Sequence, residues 1–497
     1  MFVWNKQRPK RREYYCRKNA DPLNRPNGWR MSLEPIGIFT LVLGLYCLFA
    51  SRNATVVAFI TLTVFGAAGA ILAGSANIQP AHLFLAFLAV ATFSFRTNFS
   101  VAIRALNFPQ PAFWLACLVV YGIASGFFAP RLLARMSEII PLGASEYPST
   151  GSTVPLGPVS SNFTQAVYLA ADLLTFLLMI AIGSTKAGFK AITIGIISFS
   201  FANALFGILD LVTYGTGAQD IFLFIRNAQY TFHHDDVVAG VKRIVGSWPE
   251  ASAFAGMTLG AIGFCGTMWL CGRYHRWTGA LFLLSLILMV RSTSSTGLLA
   301  LPICFLILYV TAVMRSGGRS GTWSSSGVVL FVPPLLLLGL LIIVLNDELY
   351  RRIYDYIDLL LLSKTTSSSA AERGAWNFHG YQNFLDSYGW GVGLGTSRTS
   401  SFVIALLSNV GVPGTVFFLL FAFTTFFKRR GIPRSMTSDV RLAARNACGS
   451  LMIGALVAGP TVDLGLMFFI LAGVVAAQPE TEDVRGSLPQ HASLAAT

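Results

Sequence analysis

Apolar runs of roughly 15 to 25 residues recur along this chain, each near the length needed to cross a ~30 Å hydrocarbon core as a helix. No water-soluble fold has a use for so many of them. Inside a bilayer only helices or closed barrels satisfy their own backbone hydrogen bonds, and these runs are continuous rather than alternating, so helices are expected. Composition agrees: 54% of the 497 residues are hydrophobic, 12% are charged, and the mean hydropathy is +0.62. The expected fold class is all-α, a polytopic membrane bundle of roughly twelve transmembrane helices, with long loops that carry short amphipathic helices. The runs lie near 36–50, 55–73, 80–95, 111–129, 165–183, 189–209, 252–271, 277–291, 296–314, 327–345, 402–427 and 446–477. The last is long and contains Pro460 and Asp463, which suggests a kink or two half-helices.

Charge gives the orientation. The first 30 residues hold nine Lys or Arg against Glu13 and Asp21, and no cleavable signal pattern is visible. Residues 1–35 therefore read as a basic cytoplasmic tail facing anionic lipid rather than as a nucleic-acid arm. Residues 36–477 form one transmembrane domain and 478–497 a C-terminal tail. Short basic segments at 184–190, 272–276, 315–320 and 428–445 read as cytoplasmic. That places the long loops 130–164, 215–251 and 346–401 together on the opposite face. Arg96 and Arg104 conflict with this count at the front end, so one early run is expected not to cross fully. The net charge of +14 is carried mostly by inside-facing segments and says little about substrate. Seven cysteines fall in or beside apolar runs or in the N-terminal tail, without a Cys-X-X-Cys spacing, so neither a disulfide framework nor a thiolate metal site is expected.

The outer loops are not featureless. Loop 130–164 is rich in Pro, Gly and Ser and reads as irregular coil. "NDELYRRIYDYIDLLLL", from residue 346, has the spacing of a surface-lying amphipathic helix. Glycines 389, 391, 393 and 395 follow no strand, which removes the dinucleotide and P-loop readings. They predict a surface free of side chains whose amides can meet anionic oxygens. "HHDD", 233–236, invites a metal reading, but four consecutive side chains rarely point at one ion.

The run Arg373 to Gly414, "RGAWNFHGYQNFLDSYGWGVGLGTSRTSSFVIALLSNVGVPG", resembles the signature region of the bacterial O-antigen ligase and polymerase superfamily. In that family an Arg and a Trp precede a Gly-rich turn. A helix follows, beginning His-Asn/Ser, nine residues, Gly-X-X-Gly. Arg373, Trp376, Gly391, Gly393, Gly395 and Gly411-Val412-Pro413-Gly414 fit, while Ser400 and Ser401 stand on the His and Asn/Ser positions. The missing histidine shifts the resemblance towards the polymerase branch. "RIVGSWPEASAF", 243–254, is similar to the family's other catalytic outer loop, and "RSTSSTG", 291–297, to a Ser/Thr-rich turn that follows it.

The resemblance implies an inner-membrane enzyme that transfers a glycan from an undecaprenyl-pyrophosphate carrier on the periplasmic face, with no cofactor and no metal. A chain-length regulator and a flippase are the implied partners. With pyrophosphate as leaving group the reaction needs charge stabilisation more than acid catalysis, and a guanidinium grips two phosphate oxygens. The candidate catalytic residues are Arg243, Arg373 and Arg398, with Glu250 as base ahead of His379 and Asp386. Candidate substrate-binding residues are Trp376, His379, Tyr381, Gly391, Gly393, Gly395, Ser400 and Ser401. Each arginine near a span end also reads as a headgroup anchor, and the aromatics as an interfacial belt. The rivals are a ligase and, from a different class, a lipid-linked-oligosaccharide flippase or other transporter, which should show mid-membrane charges and broken helices.

Overall fold

A computed structural model describes residues 31–73, 76–148, 152–228, 237–238, 241–317, 321–358, 368–480 and 482. The basic tail 1–30, the "HHDD" run and most of the C-terminal tail lie outside them. The front end is a small meander, β1 (Met31–Leu33), β2 (Ile71–Ala73) and β3 (Ala76–Ile78), antiparallel in that order. Between β1 and β2 come α1 (Pro35–Ala50) and α2 (Arg52–Leu62), separated at Ser51, whose hydroxyl caps α2 by accepting from the Ala54 N–H. None of the early runs alone forms a helix of spanning length, and α2 is the shortest. Its 11 residues span about 16 Å, half a hydrocarbon core, because the chain leaves the helix for the hairpin β2–β3.

α3 (Pro80–Phe93) and α4 (Arg96–Ala105) meet at 111°, a broken span or a re-entrant turn. α5 (Pro111–Leu132) precedes the two-residue strands β4 (Glu138–Ile139) and β5 (Val154–Pro155), a small antiparallel pair inside the loop expected to be coil. α6 (Ser161–Ile182) and α7 (Lys186–Val212) follow, then a 3-10 helix (Gly217–Phe224) and the pair β6 (Val237–Val238) and β7 (Val241–Lys242). α8 (Ala251–Leu270), α9 (His275–Arg291), α10 (Ser295–Ser316) and α11 (Trp323–Leu345) complete the middle of the chain. The last part holds α12 (Asp347–Ile357), α13 (Ser368–Asp386), α14 (Phe402–Phe426), α15 (Met436–Ala458) and α16 (Leu466–Ala476).

Among the described residues eight helices, α5 to α8, α10, α11, α14 and α15, are long and apolar enough to span, or nine if α3 and α4 count as one. The molecule is a helical membrane bundle. The final apolar run is two helices, separated by residues 459–465 with Pro460 in the break. α8 lies at the centre, packed on α9, α10 and α15. Gly263 lets it approach α15, since a Cβ there would come within 2.7 Å of the Ser450 hydroxyl. α11 is the opposite case: its leucines stay exposed, as on a helix facing lipid. The amphipathic helix expected after residue 346 is present as α12, capped by the Asn346 carboxamide on the Leu349 N–H.

The basic segments gather at one end. Arg273 and Arg315 share the buried Asp439 carboxylate, and Arg441 pairs with Glu480. Burial works to raise the Glu480 carboxyl, but hydrogen bonds from Arg441 and Thr437 outweigh it and hold the pKa at about 2.

Candidate functional site

At the other end loops 130–164 and 387–401 interlock, for Arg398 N–H donates to the Ile140 carbonyl and Pro141 bridges to Ser397. Loop 387–401 is the keystone. Gly391, Gly393 and Gly395 all have positive φ (82°, 104° and 77°), a conformation side chains resist. A Cβ on Gly393 would also lie 2.8 Å from the Ser125 carbonyl oxygen and from Pro130, and one on Gly391 2.6 Å from the Gly411 nitrogen. These glycines do make a surface without side chains, but the groups that approach it are the protein's own helices α5 and α14. Their amides are engaged too: Gly391 N–H donates to the Ser387 hydroxyl and Gly393 N–H to the Asn409 carbonyl, 3.0 Å each. The expected anion cradle is therefore corrected to a buried scaffold, in which a ligand could reach neither amide.

The scaffold reaches further. Gly411 (φ 60°, ψ −162°) breaks α14 internally, and the freed Val412 N–H donates to the Gly389 carbonyl at 2.8 Å. Three carboxamides lace the turn together. Asn383 of α13 donates to the Ser397 hydroxyl (3.0 Å) and accepts from Ser137 (2.6 Å). Asn409 accepts from Ser397 N–H (3.2 Å) and donates to its carbonyl (3.0 Å). Asn162, at the start of α6, donates to the Leu394 carbonyl at 2.7 Å. The result is a buried run from Gly391 to Ser397 that ends in one exposed side chain, Arg398.

Arg398 is held from both sides. Its backbone N–H donates to Ile140 at 2.8 Å, and its guanidinium lies 4.1 Å from the ring centroid of Trp376 on α13. Partial desolvation lowers its pKa, and the negative fields of Glu250 and Glu372 oppose that shift. The structure thus sets Arg398 against Trp376, and Glu250, from a distant segment, acts on the guanidinium through its charge. Glu372 joins them, a residue that sequence reasoning passed over although it stands beside Arg373.

Glu250 is the residue before α8, where a carboxylate faces the positive end of a helix, and it accepts from the Ser252 hydroxyl. Its loop is fixed by a clamp centred on Asp210. The Asp210 carboxylate, 1% exposed, accepts from Arg226 Nη2 (2.7 Å), Lys242 Nζ (2.5 Å), Val245 N–H (2.8 Å) and Gly246 N–H (3.1 Å). Ser247 donates to the Val64 carbonyl and the Trp248 indole to Asn203, both buried. Arg243, half-buried, leaves the same loop seven residues before Glu250.

The remaining candidates divide. Arg373 and His379, each half-buried on α13, flank Trp376 at three-residue spacing, the interval that puts side chains on one helix face. Gly380 on that helix is packed against α14, where a Cβ would meet Thr399 and Ile404 at 2.8 Å. Tyr381 is 48% exposed and lies beside Phe384 rather than Trp376. Ser400 is only 6% exposed, which leaves little of it for a substrate, and its backbone N–H donates to the Asn377 carboxamide oxygen at 2.8 Å. Ser401 is the N-terminal boundary residue of α14. Among the described residues no cluster of three His, Cys, Asp or Glu could hold a metal ion.

Compared with protein-family models the chain matches none, and the comparison with curated proteins likewise gives no match.

Proposed function

We propose that the protein is a membrane glycosyltransferase that polymerises undecaprenyl-pyrophosphate-linked oligosaccharide repeats, of an exopolysaccharide or O-antigen, on the periplasmic face of a bacterial inner membrane. The observation that supports this reading is the Arg398 guanidinium set against the Trp376 ring, within the electrostatic reach of the carboxylates Glu250 and Glu372, at one loop-covered end of the bundle. A guanidinium beside an aromatic face suits a diphosphate next to a sugar ring. In the proposed reaction the acceptor hydroxyl attacks the anomeric carbon, the bond to the carrier diphosphate breaks, and Arg398 with Arg373 and Arg243 stabilises the charge that develops there. Glu250 takes the hydroxyl proton. The reading includes the twelve-segment topology, works without cofactor or metal, and keeps a chain-length regulator and a flippase as partners.

A transporter of lipid-linked oligosaccharide is the second reading, favoured by a buried acid in the middle of α6 and by the break between α15 and α16. Purified protein given a lipid-pyrophosphate-linked repeat separates the two. Ladder formation that is lost in Arg398→Ala, Arg373→Ala and Arg243→Ala supports the polymerase. Unaltered ladders from all three remove the proposed site, transfer to a second lipid points to a ligase, and transport without elongation favours the transporter. Activity lost to a chelator and restored by a divalent ion contradicts the metal-free mechanism.

A further inference from the structure

At the basic end of the bundle the chain closes around a cavity of about 200 Å³. α4 and the turn after it supply Arg104 and Gln110, the end of α6 supplies Ile180 and Ser184, Arg430 follows α14, and Gln478 follows α16. Among the described residues the lining holds two guanidiniums and two carboxamides and no acid. Arg104, out of step in the loop count, thus lies at the same end as the basic segments that begin at 184 and 428. The ion pairs of this end use Arg273, Arg315 and Arg441 and leave Arg104 and Arg430 aside. Arg430 is fixed by backbone carbonyls instead: its guanidinium donates to Thr425 at 2.8 Å and Thr424 at 3.0 Å, at the end of α14, and to Val475 of α16 at 3.3 Å. Carbonyls hold the group but do not cancel its charge. Burial, and then the like charge of Arg441, lower the Arg430 pKa to about 10. The acids that follow α16 are already engaged, Glu480 by Arg441 and Thr437 and Glu482 by the Lys186 N–H at 2.7 Å.

α4 sets the cavity at headgroup depth. It leaves α3 at 111° and is too short and too polar to cross a bilayer. Val101 and Arg104 line the cavity from one face, while Phe99 and Ile103 on the opposite face are 51% and 49% exposed. That is the pattern of a helix lying along the bilayer margin, with the cavity behind it. The rings of Phe108, Phe113 and Trp114, whose centroids are 5.1 to 5.6 Å apart, cluster at the start of α5 beside Gln110, as interfacial aromatics do.

We propose that this cavity binds the phosphate of an anionic phospholipid headgroup between Arg104 and Arg430. Forked guanidiniums grip phosphate oxygens, and the Gln110 carboxamide adds a neutral donor. A basic pocket between helix ends draws such headgroups from the leaflet it opens on. Once bound, the headgroup ties α4 to the ends of α6, α14 and α16 and supplies the counter-charge that Arg430 lacks. Free inorganic phosphate offers the same chemistry, and the test separates the two sources. The site lies at the opposite end of the bundle from Arg398 and does not depend on the polymerase reading.

The test uses full-length protein in nanodiscs of phosphatidylcholine, with or without phosphatidylglycerol. Native mass spectrometry should find phosphatidylglycerol retained in preference to phosphatidylcholine. Hydrogen exchange of residues 101–110 should slow about tenfold when phosphatidylglycerol is present, the effect of two guanidinium contacts. Arg104→Gln and Arg430→Gln should each lose both the retained lipid and the slowing. Should Arg430→Gln not fold, Gln110→Glu carries the test, because an acid before α5 suits the N-terminus of that helix but repels a phosphate. Equal retention of the two lipids overturns the proposal, as does unchanged phosphatidylglycerol retention in folded Arg104→Gln and Gln110→Glu. Slowing reproduced by inorganic phosphate in phosphatidylcholine discs also overturns it, since the cavity would then take a free anion.

Discussion

Replacing Asp210 with Asn probes the clamp under the candidate site. The carboxylate accepts from two buried cations and two backbone amides at once, all within 3.1 Å. A carboxamide keeps the shape but turns one oxygen into a donor, so at least one of these four donors faces another donor, and Arg226 and Lys242 lose their counter-charge. Breaking a buried ion pair by removing one partner costs about 3–5 kcal/mol. The loss falls on residues 243–250, which hang on Asp210 through Val245 and Gly246. Local opening of that segment should become roughly 100- to 4000-fold more frequent, a tenfold change for every ~1.4 kcal/mol. Hydrogen exchange read by mass spectrometry measures this, with α15 as internal control. Faster exchange confined to 243–250 and to the segment around Arg226, just after the 3-10 helix, is the expected result. Wild-type protection in 243–250, or equal loosening of α15, would refute the idea that this carboxylate holds the loop.

Four further outcomes follow from the same geometry. Arg398→Lys should lose about as much polymerising activity as Arg398→Ala, roughly 100-fold or more in kcat, because a compact ammonium reproduces neither the fork nor the stack on Trp376; full activity in the lysine variant contradicts that role. Gly393→Ala should lower the melting temperature in detergent, since left-handed backbone and the 2.8 Å collision with Ser125 and Pro130 each cost about 1–3 kcal/mol. Gly374→Ala, in α13 with open space at its Cβ, should raise it instead, by about 0.5–1 kcal/mol of stability. Glu480, whose pKa falls to about 2 on folding, contributes stability that is fully present above its unfolded value near ~4.3 and lost as pH falls towards 2; melting curves of wild type and Glu480→Gln should differ at neutral pH and converge in acid.

Sequence alone determined that this chain is a helical membrane protein, because a run of twenty apolar residues has few other destinations than a bilayer. It also marked the amphipathic helix α12 and the break at Pro460, since periodicity and a missing N–H are local properties. Tertiary structure decided what local pattern cannot encode. The alternating glycines read as an exposed surface, but which atoms come against a bare backbone depends on α5 and α14, distant in sequence. The partners of Asp210 were equally out of sight, for a buried acid is defined by what surrounds it rather than by its neighbours along the chain. Arg398 and Trp376 were both visible as residue types; only the loop scaffold, pinned by Asn383, Asn409 and Asn162, sets one above the other.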